Sequence, residues 1–220
     1  MTVWDELKVV IVRLRDQHPR AVRMSPTPEV DEGRQPPFTI HLAAWAVDIA
    51  EELHRQFGDD VDLTVGALPY PPGGRTDPSP AADPPPELLN PREIAAELDG
   101  PAVIKSGHEL RHGLLLRNFT DCELRITSNG TVFGNVVDPQ TGEAVGGFYG
   151  AATLMLVTFR VAPGETGGVP FLIDTASFAP RLGYSVPAGN WGVQATLTIS
   201  TQAGGSAERR TPILPLTITA

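Results

Sequence analysis

Between Trp191 and Ser200 the chain alternates. Trp191, Val193, Ala195, Leu197 and Ile199 share one parity, and Gly192, Gln194, Thr196 and Thr198 share the other. A strand sends successive side chains to opposite faces, so this run has one face for a core and one for water. Similar short runs recur from Pro101 to Ala220. They predict strands at about 102–105, 110–118, 123–128, 131–137, 153–161, 168–175, 191–200 and 211–219. The turns between them carry their own chemistry. Asn129-Gly130 is a two-residue hairpin signal. Asp138-Pro139-Gln140-Thr141-Gly142 fits a type I turn followed by a left-handed residue. Pro163-Gly164 and Pro187-Ala188-Gly189 reverse the chain before later strands. Seven or eight short strands at this spacing predict a β-sandwich. Such a fold more often binds or props than catalyses.

The front of the chain has a different period. Val3, Trp4, Leu7, Val10, Ile11 and Leu14 recur at helical spacing, with Thr2 and Asp5 placed as a capping box and Pro19 as the stop. Residues 20–24 and 38–42 read as strands on either side of a Pro-rich acidic loop, 25–37. A second amphipathic helix spans about 43–57, with Gly58 at its C-cap, and 61–65 alternates as a strand. Two helices and about three strands form a small α/β unit over 1–68, near the lower size limit for independent folding. Residues 69–86 hold eight prolines in eighteen positions. Such a run favours extended polyproline backbone and reads as a semi-rigid linker; docking to a proline-recognising domain is the alternative. Asn90-Pro91 then predicts a short helix to Leu98. The expected fold class is therefore α+β in two domains: 1–68 as a small α/β layer, 69–100 as linker with a short helix, and 101–220 as an all-β sandwich.

The net charge of −9 is unevenly spread: −5 over 1–68, −4 over 69–100 and zero over 101–220. Nucleic-acid binding needs clustered basic residues, and no segment offers them. The acidic front half reads as a solvated surface, or as a face for a basic partner. No apolar run approaches the length of a membrane span. The single cysteine, Cys122, forms no internal disulfide, and the first residues lack the pattern of a signal peptide. Together these give a cytoplasmic expectation.

Three segments, Arg117-Asn118-Phe119-Thr120-Asp121, Val161-Ala162-Pro163-Gly164-Glu165-Thr166 and Pro187 through Ala195, give the C-terminal half a likeness to a known family. It resembles bacterial immunoglobulin-like modules, including the intracellular proteinase-inhibitor type. The resemblance covers about half the chain and implies a sandwich fold. It says little of ligands, because the matching features are those that form the fold. One cysteine excludes the Cys–Trp–Cys framework of antibody domains.

Two motifs look catalytic. His108-Glu109-Leu110-Arg111-His112 matches the H-E-x-x-H pattern of zinc proteases. That chemistry needs a helix, with both imidazoles on one face and the carboxylate beside the bound water. Gly107, Gly113 and the alternation of Leu110, Leu114 and Leu116 predict a strand instead, where the histidines stand roughly 13 Å apart. Asp174-Thr175-Ala176 resembles the signature of aspartic proteases, which need two such carboxylates sharing a proton. The chain holds one, so a homodimer would be required, and a strand end with Asp174 and Thr175 bonding local backbone is the simpler expectation. Cys122 follows Asp121, whose charge discourages thiolate formation. Trp4, Trp45 and Trp191 are expected in cores.

These readings converge on a non-enzymatic, cytoplasmic interaction or scaffolding protein with a protein partner, and with no nucleic acid, membrane, metal or cofactor. Self-assembly into a homo-oligomer is a further expectation. The alternative is a hydrolase, either of the zinc type through His108, Glu109 and His112 or a dimeric aspartic type through Asp174. The expected contact residues are Phe148 and Tyr149, in the glycine-rich stretch Gly146-Gly147-Phe148-Tyr149-Gly150.

Overall fold

The computed structural model describes residues 3–26, 38–72, 85–150, 155–201 and 205–220. The Thr2 cap, residues 27–37 of the loop expected at 25–37, most of the polyproline run and the first two residues of the strand expected at 153–161 lie outside the described residues, as does the side chain of Trp4. Strand dominates, and among the described residues there are two α-helices.

The front layer is built from α1 (Val3–Gln17), β1 (Val22–Pro26), β2 (Phe38–Leu42), α2 (Val47–Phe57), β3 (Asp62–Val65) and β4 (Leu68–Tyr70). Its sheet runs β1-β2-β3-β4. The β2–β3 pair is parallel because α2 crosses between them, and the other two pairs are antiparallel. Leu7 and Ile11 of α1 join Ile49, Ala50, Leu53 and Phe57 of α2 over Ile40, Leu42, Leu63 and Val65. Strand alternation sends the other parity to the opposite face. There Thr39 Oγ1 donates to Asp62 Oδ2 at 2.8 Å, and His41 Nδ1 meets Thr64 Oγ1 at 2.7 Å.

Twelve further strands follow: β5 (Glu87–Leu88), β6 (Ile94–Leu98), β7 (Val103–Lys105), β8 (Glu109–Asn118), β9 (Leu124–Ser128), β10 (Val132–Val137), β11 (Ala144–Gly147), β12 (Val157–Val161), β13 (Thr166–Asp174), β14 (Gly189–Thr201), β15 (Ser206–Arg210) and β16 (Leu214–Thr219). The alternating run seen first in the sequence is β14, and it is the spine. Along one flank it pairs with β10 and then β9; along the other with β16 and then β15. From β10 the ladder continues through β13 and β8 to β6, and from β16 to β7. Five strand steps separate β8 from β7, roughly 24 Å in a flat sheet. Only residues 106–108 connect them, so the ladder must curl over on itself. Two layers result, one centred on β14 and one made of β6, β8 and β13. Their inward residues, among them Leu114, Leu116, Phe171, Ile173, Val193, Ala195 and Leu197, form one continuous core.

The structure corrects four expectations. Residues 91–98 are a turn followed by β6, not a helix. Ile94 N–H does reach Asn90 O, at 2.9 Å, as in a first helical turn. The chain then peels away because the edge of β8 offers five paired positions, from Ile94 opposite Asn118 to Leu98 opposite Leu114. Asn129-Gly130 joins two strands that do not pair with each other. β9 and β10 lie end to end on one flank of β14, and the dipeptide bulges out between them. Trp191 is half-buried at the core rim, where its indole N–H donates to Pro187 O at 2.9 Å. Trp45 is not in a core at all; it is 39% exposed.

Asn118 and Val161–Thr166, two of the segments that carry the family resemblance, are bonded together. Asn118 is fully buried, and its Nδ2 donates to Cys122 O at 2.8 Å and Val161 O at 3.0 Å. Its Oδ1 accepts from Thr120 N–H at 2.9 Å, and its backbone exchanges bonds with Glu165 and Gly164.

Candidate functional site

The two hydrophobic cores meet along a narrow seam. Two close approaches across it are made by glycines at positive φ, where a side chain would strain the backbone as well as crowd it. Gly66, at φ 58°, approaches so closely that a Cβ there would lie 3.2 Å from that of Ala176. Gly107, at φ 79°, lies against the Trp45 backbone, with its virtual Cβ 3.1 Å from the Trp45 Cα. Tyr184 of the sandwich stands 5.9 Å, ring to ring, from Tyr70.

Beside these contacts the seam opens into a cleft of about 830 Å³. This is within the range of ligand sites. Its floor is the end of the β8–β13 pair, where Glu109 lies directly opposite Asp174 and Arg111 opposite Leu172. One wall is the Trp45 indole, stacked on the His108 ring at 6.0 Å and 22°. The other is the segment after β11. Phe148 is half-buried and stacks on Phe133 at 4.6 Å, while Tyr149 is 44% exposed and stands edge-on to His41 at 6.3 Å. Arg20 closes the rim from the front layer.

The sequence motifs therefore come together, but not as the chemistry their patterns suggest. His108 and Glu109 line the cleft. His112 does not; its Nδ1 accepts from the Gly113 N–H at 2.9 Å. The extended backbone of β8 removes the shared helical face that a zinc protease needs. Among the described residues no group of three or more His, Cys, Asp or Glu could hold a metal ion. Asp174 caps its own strand end, with Oδ1 accepting from Ala176 N–H at 3.0 Å, and buried Thr175 donates its hydroxyl to His108 O at 3.1 Å. That is the backbone role expected of this pair, and it spaces the turn before β8 against the end of β13.

Phe148 and Tyr149 are both at the cleft, though Gly146 and Gly147 belong to buried β11 and not to an open loop. Sequence reasoning missed Trp45, His41, Arg20 and Arg111. The signal for Trp45 was its place just before the first turn of α2, where a large ring has no helix face to join. The other three carry no local signature.

Burial lowers the pKa of His41, partly offset by the charge of Asp62. The Cys122 thiol is pushed up by its hydrogen bond to Asp121 and by that residue's charge. This fits the inert role expected of it. Tyr184 is raised, first by burial and then by Tyr70. No helix among the described residues is long and apolar enough to cross a membrane.

No protein-family model and no curated protein matches the chain. Among solved structures it is similar to the CARDB domain of a Pyrococcus furiosus protein solved with di-metal ions. That match has 11% identity and a TM-score of 0.28, and covers 57% of this chain and 92% of that one. It is also similar to an ASH/PapD-like domain of human CEP192, at 9% identity and a TM-score of 0.26, covering 66% of this chain and 99% of that one. At these values the likeness assigns no function.

Proposed function

We propose that this protein is a non-enzymatic interaction module whose binding surface is the seam cleft. In this reading residues 1–68 and 101–220 are two domains, the second immunoglobulin-like. A segment of a protein partner lies between them in the cytoplasm, against Phe148, Tyr149 and Trp45. The observation that carries it is the cleft: aromatic side chains left partly in water, walled by two independently cored layers, with charged groups of both signs at its floor and rim. Large apolar rings are costly to leave exposed, and they cluster where partners bind. The zinc-hydrolase alternative loses its geometry, because β8 is extended and His112 does not line the cleft.

The test is affinity capture from the source cell with the full-length chain as bait, beside Tyr149→Ser and Trp45→Ala baits of matched melting temperature. Both substitutions are expected to lose the specific partner, by about tenfold or more for an aromatic anchor. Capture that is indifferent to both would refute the cleft as the binding surface.

A further inference from the structure

We propose that β6 is a docking edge, to which a segment of a protein partner adds as an antiparallel strand of alternating apolar and basic residues. None of its residues lines the cleft, so the two surfaces stand independently.

The backbone gives the first reason. β6 pairs with β8 on one side and with no other described strand. Phe119 N–H donates to Glu93 O at 2.8 Å, and Asp99 N–H to Gly113 O at 3.0 Å. Bonded positions alternate in an antiparallel ladder. Residues 93, 95, 97 and 99 therefore turn their backbone groups to β8, and Ile94, Ala96 and Leu98 turn theirs away. Two of the outward groups are used locally: Ile94 N–H reaches Asn90 O at 2.9 Å, and Leu98 O accepts from Gly100 N–H at 2.8 Å. Ile94 O, both groups of Ala96 and Leu98 N–H have no backbone partner among the described residues. They form the half-ladder that an added antiparallel strand completes. Sheet edges are commonly blunted by a bulge, a proline or a cover. β6 keeps an unbroken register along its whole length and carries only charge.

The side chains say what fits. Ile94 is buried, and Ala96 and Leu98 are half-buried at the rim of the sandwich core. An added strand sets its inward residues beside them, where apolar groups extend that core. The outward parity is Glu93, Ala95, Glu97 and Asp99. Each of these carboxylates is exposed and in no ion pair among the described residues. Arg117 and Arg111 lie diagonally across on β8, on the far side from the open edge. Neither pairs with these acids, and Arg117 packs over the Phe119 ring at 5.0 Å.

The same carboxylates work against a second copy of this chain. With Ala96 opposite Ala96, Glu93 would meet Asp99. Sliding by one period in either direction sets Glu93 against Glu97, or Glu97 against Glu97. Like charges directly opposite weaken a strand pair and opposite charges strengthen it. The strand that fits therefore carries Lys or Arg on its outward parity.

The test is amide hydrogen exchange, read by NMR, on the full-length chain with a capped peptide of alternating lysine and valine, beside its glutamate–valine counterpart. The lysine peptide is expected to slow exchange at Ala96 and Leu98 N–H by about tenfold. Ala95 and Glu97, which face β8, should be unchanged, and the glutamate peptide should slow none of them. Ala96→Pro removes the outward donor and leaves the β8 bonds in place; it is expected to lose the protection at Leu98. Should that variant melt early, the wild-type chain is read with lysine–valine peptides N-methylated on the valines or on the lysines. Only the valine N–H groups face β6, so methylation there is expected to abolish protection and methylation of the lysines to keep it. No protection at Ala96 and Leu98, equal protection by the two peptides, or protection that survives valine methylation would each overturn the inference. Trp45→Ala is expected to leave the protection unchanged, so the edge and the cleft fail separately. Lysine-peptide binding that protects neither amide and is lost in Trp45→Ala would remove the edge and leave the cleft standing.

Discussion

Thr211 shows how one residue keeps a ladder continuous. It lies in the gap between β15 and β16, fully buried, opposite Ala195 of β14. Its N–H donates to Ala195 O at 2.9 Å, and its hydroxyl accepts from Ala195 N–H at 3.0 Å. Thr211→Val keeps the shape and strands that N–H in the core. The expected loss is about 1–3 kcal/mol in denaturant unfolding, and Thr211→Ser should recover most of it. His41 gives a pH signature. Its folded pKa lies below the ordinary value of 6.5, so near that pH the unfolded chain binds more protons. Stability should therefore fall as pH drops through 6.5 toward the folded value, and should be flat in this contribution above it. In His41→Asn the decline in Tm between pH 7.5 and 5.5 should be shallower. Residue roles were legible where the controlling neighbour is adjacent in sequence: Asp121 beside Cys122, or Asp174 two positions from Ala176. They were illegible for His41 and Trp45, whose partners Tyr149 and His108 lie far along the chain.

The same division holds for the elements. α2, β2 and β14 carry an internal period; the expected bounds of β2 and β14 are nearly those observed, while α2 starts at Val47, four residues after the expected 43. β6 and β11 carry none, because their pairing is decided by the edge of another strand. The Asn90-Pro91 signal for a helix start is real for one turn and then loses to five ladder positions on β8. Asn129-Gly130 shows that a tight turn sets a local reversal of backbone, not which strands pair. Glycine commonly marks turns, yet Gly146 lies within β11 and is there for close approach. A Cβ on it would lie 2.6 Å from the Ala176 carbonyl oxygen and 2.5 Å from Val186 Cγ2. Gly146→Ala is expected to cost about 1–3 kcal/mol through overpacking. It should also raise hydrogen exchange at Gly147 N–H, which donates to Ala176 O at 2.9 Å.

At the scale of the molecule, two cores share a seam that touches through glycine, and the cleft depends on how closely they approach. Gly107→Ala puts a methyl against the Trp45 backbone at a left-handed position. It is expected to lower stability by about 1–2 kcal/mol. It should also make Trp45 more accessible to acrylamide, measured with Trp4 and Trp191 replaced by Phe. The presence of a sandwich was readable from alternation and turn spacing. The seam was not, since glycine, tryptophan and paired carboxylates hold no period and meet only after both layers have formed.

One consequence of the spine reaches back to synthesis. β9, β10 and β7 come off the ribosome well before residues 189–219, yet the ladders they join are completed only by β14 and β16. A nascent chain stopped short of Gly189 would hold half-made sheet edges open to any passing strand, so this sandwich can close only after β14 and β16 have emerged.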